Sequence, residues 1–302
     1  MNLPQQSEVK IILQLLWPHK VSSIRLGRGG DGGYVVPHAA LQSVDRVISC
    51  GVGTDWSFET SLRRLLGLPR NTFTFVDPTI GLYSQVKSLI YILRRSYYEI
   101  FVKKLPKSQR KYRPRDFRRQ MISVPMVPLT FGQGCCRLPL IRKWVTDKVS
   151  HQSVTLNELL KGRTVGPSYL LKVDIEGAEY SSLASLTPES INKIAVLVVE
   201  FHSISNNSVQ LIEIARLLSE CLLPTHLHGN TSSKRIGELQ VPNELEVTFV
   251  NRSLIDSTLE KAESLWNASL DRCNRQGESG WDLRRSDLDT WVAWGSNPGP
   301  PD

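Results

Sequence analysis

The chain has 302 residues, 40% of them hydrophobic, and a formal net charge of +8. That is too long for a minimal domain and apolar enough for one sizeable core. The charge is local: between Arg94 and Arg119 eleven Lys and Arg face only Glu99 and Asp116, a local +9 that leaves about −1 for everything else, which argues against a distributed nucleic-acid-binding face.

The first residues, Met1 to Gln6, lack the basic start and apolar run of a signal peptide. Residues 8–17 place Val9, Ile11, Ile12, Leu15 and Leu16 at helical spacing and predict a packing helix ending before Pro18. Five glycines then fall within residues 27–33 around Asp31. Ile24–Leu26 and Tyr34–Val36 flank them as a hairpin would, so the turn either only connects two strands or also touches a ligand through Asp31.

A buried strand is predicted at 47–50, followed by a turn through Gly51 and Gly53 and a helix from about Ser57 to Leu66. A second strand, 73–76, ends in Asp77-Pro78-Thr79. A glycine turn opening a helix, followed about two dozen residues later by a strand-end acid, is how a doubly wound sheet holds a nucleoside. The turn takes the tail and Asp77 takes the ribose hydroxyls. Asp55 sits in the same turn.

Residues 80–121 form a long insertion in which Tyr91, Tyr97, Tyr98, Phe101, Tyr112 and Phe117 interleave with the basic run. It is either a solvated excursion or a contact for an anionic substrate or membrane surface through 94–119. A third strand is expected at Met121–Val127 and a helix at 154–160, capped by Ser153 or Thr155. Strands follow at 169–174 and 195–202, a long amphipathic helix at 209–222, and a closing strand pair at 225–230 and 244–252. The remainder, 253–302, reads as a helix over Leu259–Leu270 and a polar, loosely held tail with isolated Trp281, Trp291 and Trp294.

The apolar run 194–199 suits a buried strand and is too short to cross a bilayer. Five scattered cysteines, with Cys135 and Cys136 adjacent, give neither a disulfide framework nor a zinc knuckle. A reducing, cytoplasmic setting is expected, although sequons at Asn206, Asn230, Asn251 and Asn267 qualify it.

Alternating strands and helices predict a mainly parallel, doubly wound Rossmann-like α/β sheet, with ligands beyond the strands' carboxyl ends. Polar residues fall at those ends: Cys50 to Asp55, Asp77, Asp174 with Glu176, Glu200 with His202, and His228 with Asn230. Asp174, Glu176 and Glu179 equally suit the start of a helix, where the dipole favours a carboxylate. His202 and His228 can be structural, and Cys50 a small packing residue.

These residues resemble a family. Gly29-Gly30-Asp31-Gly32-Gly33-Tyr34, Gly51-Val52-Gly53 with Phe58-Glu59, Asp77-Pro78-Thr79, Leu171 to Glu179, His228-Gly229-Asn230 and Leu245-Glu246-Val247-Thr248 look like FkbM-type and related methyltransferase-like proteins. The run Lys172-Val173-Asp174-Ile175-Glu176-Gly177-Ala178-Glu179 is the most specific piece, and the resemblance spans roughly Arg25 to Arg252. It implies a class I methyltransferase fold of seven strands, the last antiparallel, using S-adenosylmethionine to methylate a hydroxyl of a sugar or other small molecule. Gly51 and Gly53 would admit the amino-acid end of the cofactor, and Asp77 its ribose. Where the family carries an acid at the first strand's end, this chain has Ser49-Cys50, so Asp55 or Asp31 would substitute. Asp174, Glu176 and His202 are the candidate bases for the acceptor proton. Alternatively Asp174 with Glu176 or His202 holds a divalent metal that acidifies the hydroxyl. Two other readings remain: a nucleotide-binding enzyme such as a dehydrogenase, against which Trp56 stands where a third glycine belongs, and a non-catalytic binding module.

Overall fold

In the computed structural model the described residues are 6–53, 55–80, 140–162, 164, 166–256, 258–274 and 278–288. Helix α1 (Gln6–Leu16) leads into a hairpin of β1 (Ser23–Gly27) and β2 (Gly33–Pro37). Then come β3 (Arg46–Cys50), α2 (Ser57–Leu66), β4 (Phe73–Val76) and β5 (Leu140–Ile141). A short pair, β6 (Trp144–Val145) and β7 (Ser153–Val154), precedes α3 (Leu156–Leu159). The second half comprises β8 (Tyr169–Val173), α4 (Glu179–Ala184), α5 (Pro188–Asn192), β9 (Ile194–Phe201), α6 (Ile204–Ser219) and β10 (Leu222–Gly229). A small ribbon of β11 (Arg235–Ile236) and β12 (Val241–Pro242) leads to β13 (Leu245–Asn251).

Seven strands form one sheet in the order β10-β13-β9-β8-β3-β4-β5. Only β13 runs antiparallel to its neighbours. The sheet is buried on both faces because alternate side chains of a strand point to opposite sides. Leu170, Val196 and Val198 join a core with Tyr34 of the hairpin and with Phe58 and Leu62 of α2. Leu171, Leu197 and Val199 join the opposite core with Ile12 and Leu16 of α1 and Leu211 and Ile214 of α6. Phe73 and Phe75 are fully buried, each worth roughly 1.5–3 kcal/mol of burial. The expected hairpin is present, with Leu26 opposite Tyr34 and Ile24 opposite Val36. It is pinned to the sheet by the Thr248 hydroxyl, which donates to the Val35 carbonyl at 2.7 Å. Of the two expected caps of α3, Thr155 acts: its Oγ1 accepts from the Glu158 amide at 3.2 Å.

The strand beside β4 is Leu140–Ile141; the expected strand at 121–127 lies outside the described residues, as do the basic insertion's residues 94–119. The helix expected over 259–270 does not form. Its apolar spacing is overridden by tertiary pairing: the Ala262 amide donates to Pro18 O, Lys20 N to Glu260 O, and Leu265 N to Leu283 O, bonds a helix would have spent on itself. The segment after 277 is also held tightly as far as 288, with Trp281, Leu283 and Leu288 all buried. Trp291 and Trp294 lie outside the described residues. The stretch after α1 is joined to the C-terminal segment. The Trp17 indole donates to Ala262 O at 2.7 Å, Lys261 Nζ donates to Trp17 O at 2.9 Å, and the Arg285 guanidinium lies 5.5 Å from the centre of the Trp17 ring.

No helix among the described residues is long and apolar enough to cross a membrane.

Candidate functional site

The carboxyl ends of β3, β4, β8 and β9 open into a cavity of about 680 Å³, the position where parallel sheets expose backbone and side chains free of helix packing. Its floor depends on Gly51. That residue has φ +73°, and a Cβ on it would lie 1.5 Å from the Asp174 carbonyl oxygen. Glycine is therefore required where β3 passes β8. The Gly51 amide donates to Val76 O and the Asp174 amide to Cys50 O, so three strand ends are laced together.

At the β4 end, Asp77 is buried. Its Oδ2 accepts from the Gly53 amide at 2.8 Å, and its Oδ1 from the amide and hydroxyl of Thr79 at 2.7 and 2.6 Å. The acid thus shapes the glycine turn while bordering the cavity, and a carboxylate has acceptor capacity beyond these three bonds.

The glycine-rich turn of 27–33 does reach the cavity, which Arg28, Asp31 and Gly32 line. Arg25 holds the turn by donating to the carbonyls of Arg28 and Gly30 at 3.2 and 2.7 Å. Asp55 couples it to α2. Its Oδ2 pairs with Arg28 Nε at 3.0 Å, and its Oδ1 accepts from the Ser57 amide at 3.0 Å. At Gly32, with φ +80°, a Cβ would come within 2.6 Å of Asp55 Oδ2. Burial and the neighbouring Asp174 and Asp55 push the Asp31 carboxyl upward.

Sequence reasoning looked to Asp55 or Asp31 for an acid at the β3 end. The structure puts Glu59 there. Its Oε1 accepts from Ser49 Oγ at 2.6 Å, it is fully buried, and its Oε2 has no hydrogen-bond partner. Burial pushes its carboxyl upward. The available signal was a charged residue one turn into an apolar helix face, next to a strand-end serine. Lys172 was also missed, although a lone lysine inside Tyr169-Leu170-Leu171-Lys172-Val173 is conspicuous in a strand buried on both faces. Its ammonium donates to Gly51 O and Asp174 Oδ2, both at 3.1 Å, and sits 5.3 Å from the Tyr34 ring centre. Burial opposes its charge, but Asp174 and Glu59 outweigh that and hold its pKa up. Tyr34 adds a second donor to Asp174 Oδ2 at 3.2 Å.

On the far side, His202 leaves the end of β9. Its Nδ1 is bonded to Glu179, whose side chain is wholly buried. Its Nε2 lies 3.9 Å from Glu200 Oε1 and 3.7 Å from Glu176 Oε2. Burial works against charge on this imidazole, but Glu179 and Glu200 outweigh it and raise the pKa to about 9. Glu200 is pushed to about 9 by burial and by Glu246 and Asp174. Asn230 Nδ2 donates to Glu200 Oε1 at 3.2 Å.

The eight residues singled out in the sequence, Asp31, Gly51, Gly53, Asp55, Asp77, Asp174, Glu176 and His202, all border the cavity. They do so unequally. Glu176 adopts φ +54° and its side chain is 87% exposed at the mouth; Glu200 occupies the inner position beside His202. His228 does not border the cavity. It is buried, bonded to Asp271 and Asn274 of the C-terminal segment. Cys50 packs in the core with its thiol pushed up to about 12 by burial. Eight carboxylates line the cavity. Burial pushes Asp31, Glu59 and Glu200 toward their neutral forms. The other five still outnumber the cations Arg28, Lys172 and a protonated His202, so a positively charged guest suits the space better than an anionic one.

The family model described as the methyltransferase FkbM domain matches residues 49–222, more than half of the chain. Comparison with curated proteins gives no match. Among solved structures the chain is similar to a dimethyladenosine transferase from Plasmodium falciparum at 11% identity and a TM-score of 0.29, covering 84% of this chain and 64% of that one. A likeness of that size says nothing about the site.

Proposed function

This chain belongs to the methyltransferase FkbM domain family, and we propose that it transfers a methyl group from S-adenosylmethionine to a hydroxyl of a neutral small molecule or sugar. The observation that carries the reading is the cavity's charge. Acidic groups outnumber Arg28, Lys172 and His202 there even with the buried Asp31, Glu59 and Glu200 pushed toward neutrality, which suits a sulfonium cofactor bearing an ammonium group. They oppose the pyrophosphate of a dinucleotide, which needs backbone donors and cations. The same imbalance disfavours an anionic acceptor.

In this reading the turn from Gly51 to Gly53 receives the amino-acid end of the cofactor and Asp77 receives the ribose hydroxyls. Asp77 is already oriented by the Gly53 and Thr79 amides, so little ordering remains to be done on binding. The acceptor oxygen attacks the methyl carbon as the carbon–sulfur bond breaks. The sulfur leaves as a neutral thioether, and the hydroxyl proton passes to a base. Holding oxygen, carbon and sulfur in line supplies much of the rate. His202, its Nδ1 bonded to Glu179, is the candidate base through Nε2. Because burial is outweighed by Glu179 and Glu200, which hold its pKa at about 9, it accepts the proton in its neutral form, whose share grows as pH rises toward 9. Glu176, at the mouth, is placed to exchange protons with solvent.

Calorimetry of the full chain with S-adenosylmethionine, S-adenosylhomocysteine and NAD tests this. Binding of the first two and not of NAD is expected. NAD binding alone would overturn the reading in favour of a dehydrogenase, and no binding to any would favour a non-catalytic module. Transfer of labelled methyl groups into fractionated small molecules then identifies the acceptor.

A further inference from the structure

We propose that Asp174, Glu200 and His202 together bind one divalent first-row transition-metal ion. Ion binding stands on the geometry of these side chains alone. Its catalytic use rests on the methyltransferase reading.

Among the described residues these three form the one group whose donor atoms, one from each side chain, all lie within 4.8 Å of one another. Bonds of about 2.0–2.2 Å to nitrogen and oxygen would bring these atoms within about 4.4 Å of one another, a contraction of a few tenths of an ångström that small side-chain rotations supply. The ligands come from two adjacent strand ends rather than from a loop: Asp174 follows β8, and Glu200 and His202 close and follow β9. A rigid platform of this kind holds a coordination geometry well.

Two features outside the triad point the same way. First, Glu179 is completely buried and bonded to His202 Nδ1. With Nδ1 committed, Nε2 is left as the coordinating nitrogen on the side of Glu200. A carboxylate behind an imidazole in this way fixes the ring's orientation and strengthens its basicity toward a metal. Glu179 Oε2 is itself buried without a partner. Second, Glu200 is buried directly across the β9–β13 pair from Glu246, which is also buried. Carboxylates so close and so shielded favour a cation among them. Asp174 is already steered, because Lys172 Nζ and Tyr34 Oη both donate to its Oδ2, which leaves the other oxygen for coordination.

One imidazole nitrogen and two carboxylate oxygens favour Mn²⁺, Fe²⁺ or Zn²⁺ over Ca²⁺ or Mg²⁺, which prefer all-oxygen shells. Three protein ligands leave positions open toward the cavity. There the acceptor hydroxyl would coordinate and lose its proton to water at the open mouth. The resulting alkoxide oxygen then forms its bond to the methyl carbon while the carbon–sulfur bond breaks and the thioether departs.

The test uses the full chain, stripped with chelator and titrated with MnCl₂, read by electron paramagnetic resonance. One Mn²⁺ per chain is expected, with a nitrogen coupling in the pulsed spectrum. His202→Ala should abolish that coupling, and both His202→Ala and Glu200→Gln should weaken binding at least tenfold. Asp77→Asn removes a charge from the same cavity outside the triad and should leave Mn²⁺ affinity within twofold. No binding, no nitrogen coupling in the unsubstituted chain, or equal weakening by Asp77→Asn would overturn the site. The nitrogen coupling is read on the unsubstituted chain, so a misfolded variant does not rescue the idea. Titration of the same sample with S-adenosylmethionine keeps the two questions apart: Mn²⁺ binding without cofactor binding upholds the ion site and counts against the methyltransferase reading alone.

Discussion

The Gly53 amide donates to Asp77 Oδ2 at 2.8 Å, so the turn after β3 is tied to the acid at the end of β4. One carboxylate therefore shapes the backbone of the proposed cofactor site and is also its proposed ribose contact. Asp77→Ala should weaken S-adenosylmethionine binding at least tenfold. It also strands the Gly53 and Thr79 amides, at a cost of about 1–3 kcal/mol each if they stay buried. Asp77→Asn keeps an acceptor for the turn and should recover most of the stability without the affinity. Calorimetry paired with urea unfolding separates the two effects, and unchanged affinity in both variants would remove Asp77 from the cofactor site.

Gly51→Ala should damage the fold itself. A left-handed backbone costs a non-glycine residue roughly 1–2 kcal/mol, and the new Cβ would lie 1.5 Å from the Asp174 carbonyl oxygen. The strand ends must part to admit it, so a loss of at least about 3 kcal/mol is expected in chemical denaturation. A variant of near-normal stability would show that β3 and β8 are not packed this closely.

Lys172 and Asp174 form a buried ion pair at 3.1 Å, with 5% and 22% side-chain exposure. Lys172→Met strands a shielded carboxylate and should cost about 3–5 kcal/mol. The pair variant Lys172→Met with Asp174→Leu should be less harmed than the lysine variant alone. Thermal and urea unfolding of the cycle measures the coupling; simple additivity would mean that the pair is not coupled.

Asp271 anchors the C-terminal segment by accepting from His226 Nε2 at 2.9 Å, His228 Nδ1 at 3.1 Å and the Asn267 amide at 2.6 Å. Burial opposes its charge, but these donors outweigh it and hold the carboxyl well below the usual carboxylate range. Burial likewise opposes charge on His228, and Asp271 with Glu246 outweighs it and raises the pKa. The lowered acid contributes stability that is present above its ordinary value of about 3.8 and is lost as pH falls through the folded value. The raised histidine contributes stability that is full below about 6.5 and is lost as pH rises through its folded value. The cluster thus stabilises most between about pH 4 and 6.5. Asp271→Asn should lower stability by about 3 kcal/mol in that window and flatten the alkaline decline. Urea midpoints across pH 4 to 9 check it, and an unchanged slope above pH 6.5 would dissociate His228 from the effect.

The strands and the rim they form were legible in the chain because a sheet covered on both faces must be apolar along its whole length. Val47, Ile48, Leu170, Leu171 and the run 194–199 announce that pattern without any tertiary information. The polar residues that end those runs, Asp77, Asp174 and His202, then fall on one rim, because parallel strands share a direction. Gly51 was legible for a related reason: a glycine straight after a buried strand signals close approach. The C-terminal segment was misread because helical spacing is a local signal. Residues 260–265 instead give their backbone bonds to the stretch after α1 and to residues 283–285, partners distant in sequence that no periodicity encodes.

The alternation of strands and helices, the glycine turn and the acid that faces it can be read from the chain alone, since each follows from local burial and backbone geometry. Which acids work together is a matter of tertiary packing. Glu59 reaches Ser49 from the next helix, Glu200 rather than Glu176 stands inside beside Asp174 and His202, and Asp271 crosses from the C-terminal segment to two histidines of β10. Those groupings depend on strand register and on the direction each side chain takes from its backbone, quantities set by long-range packing.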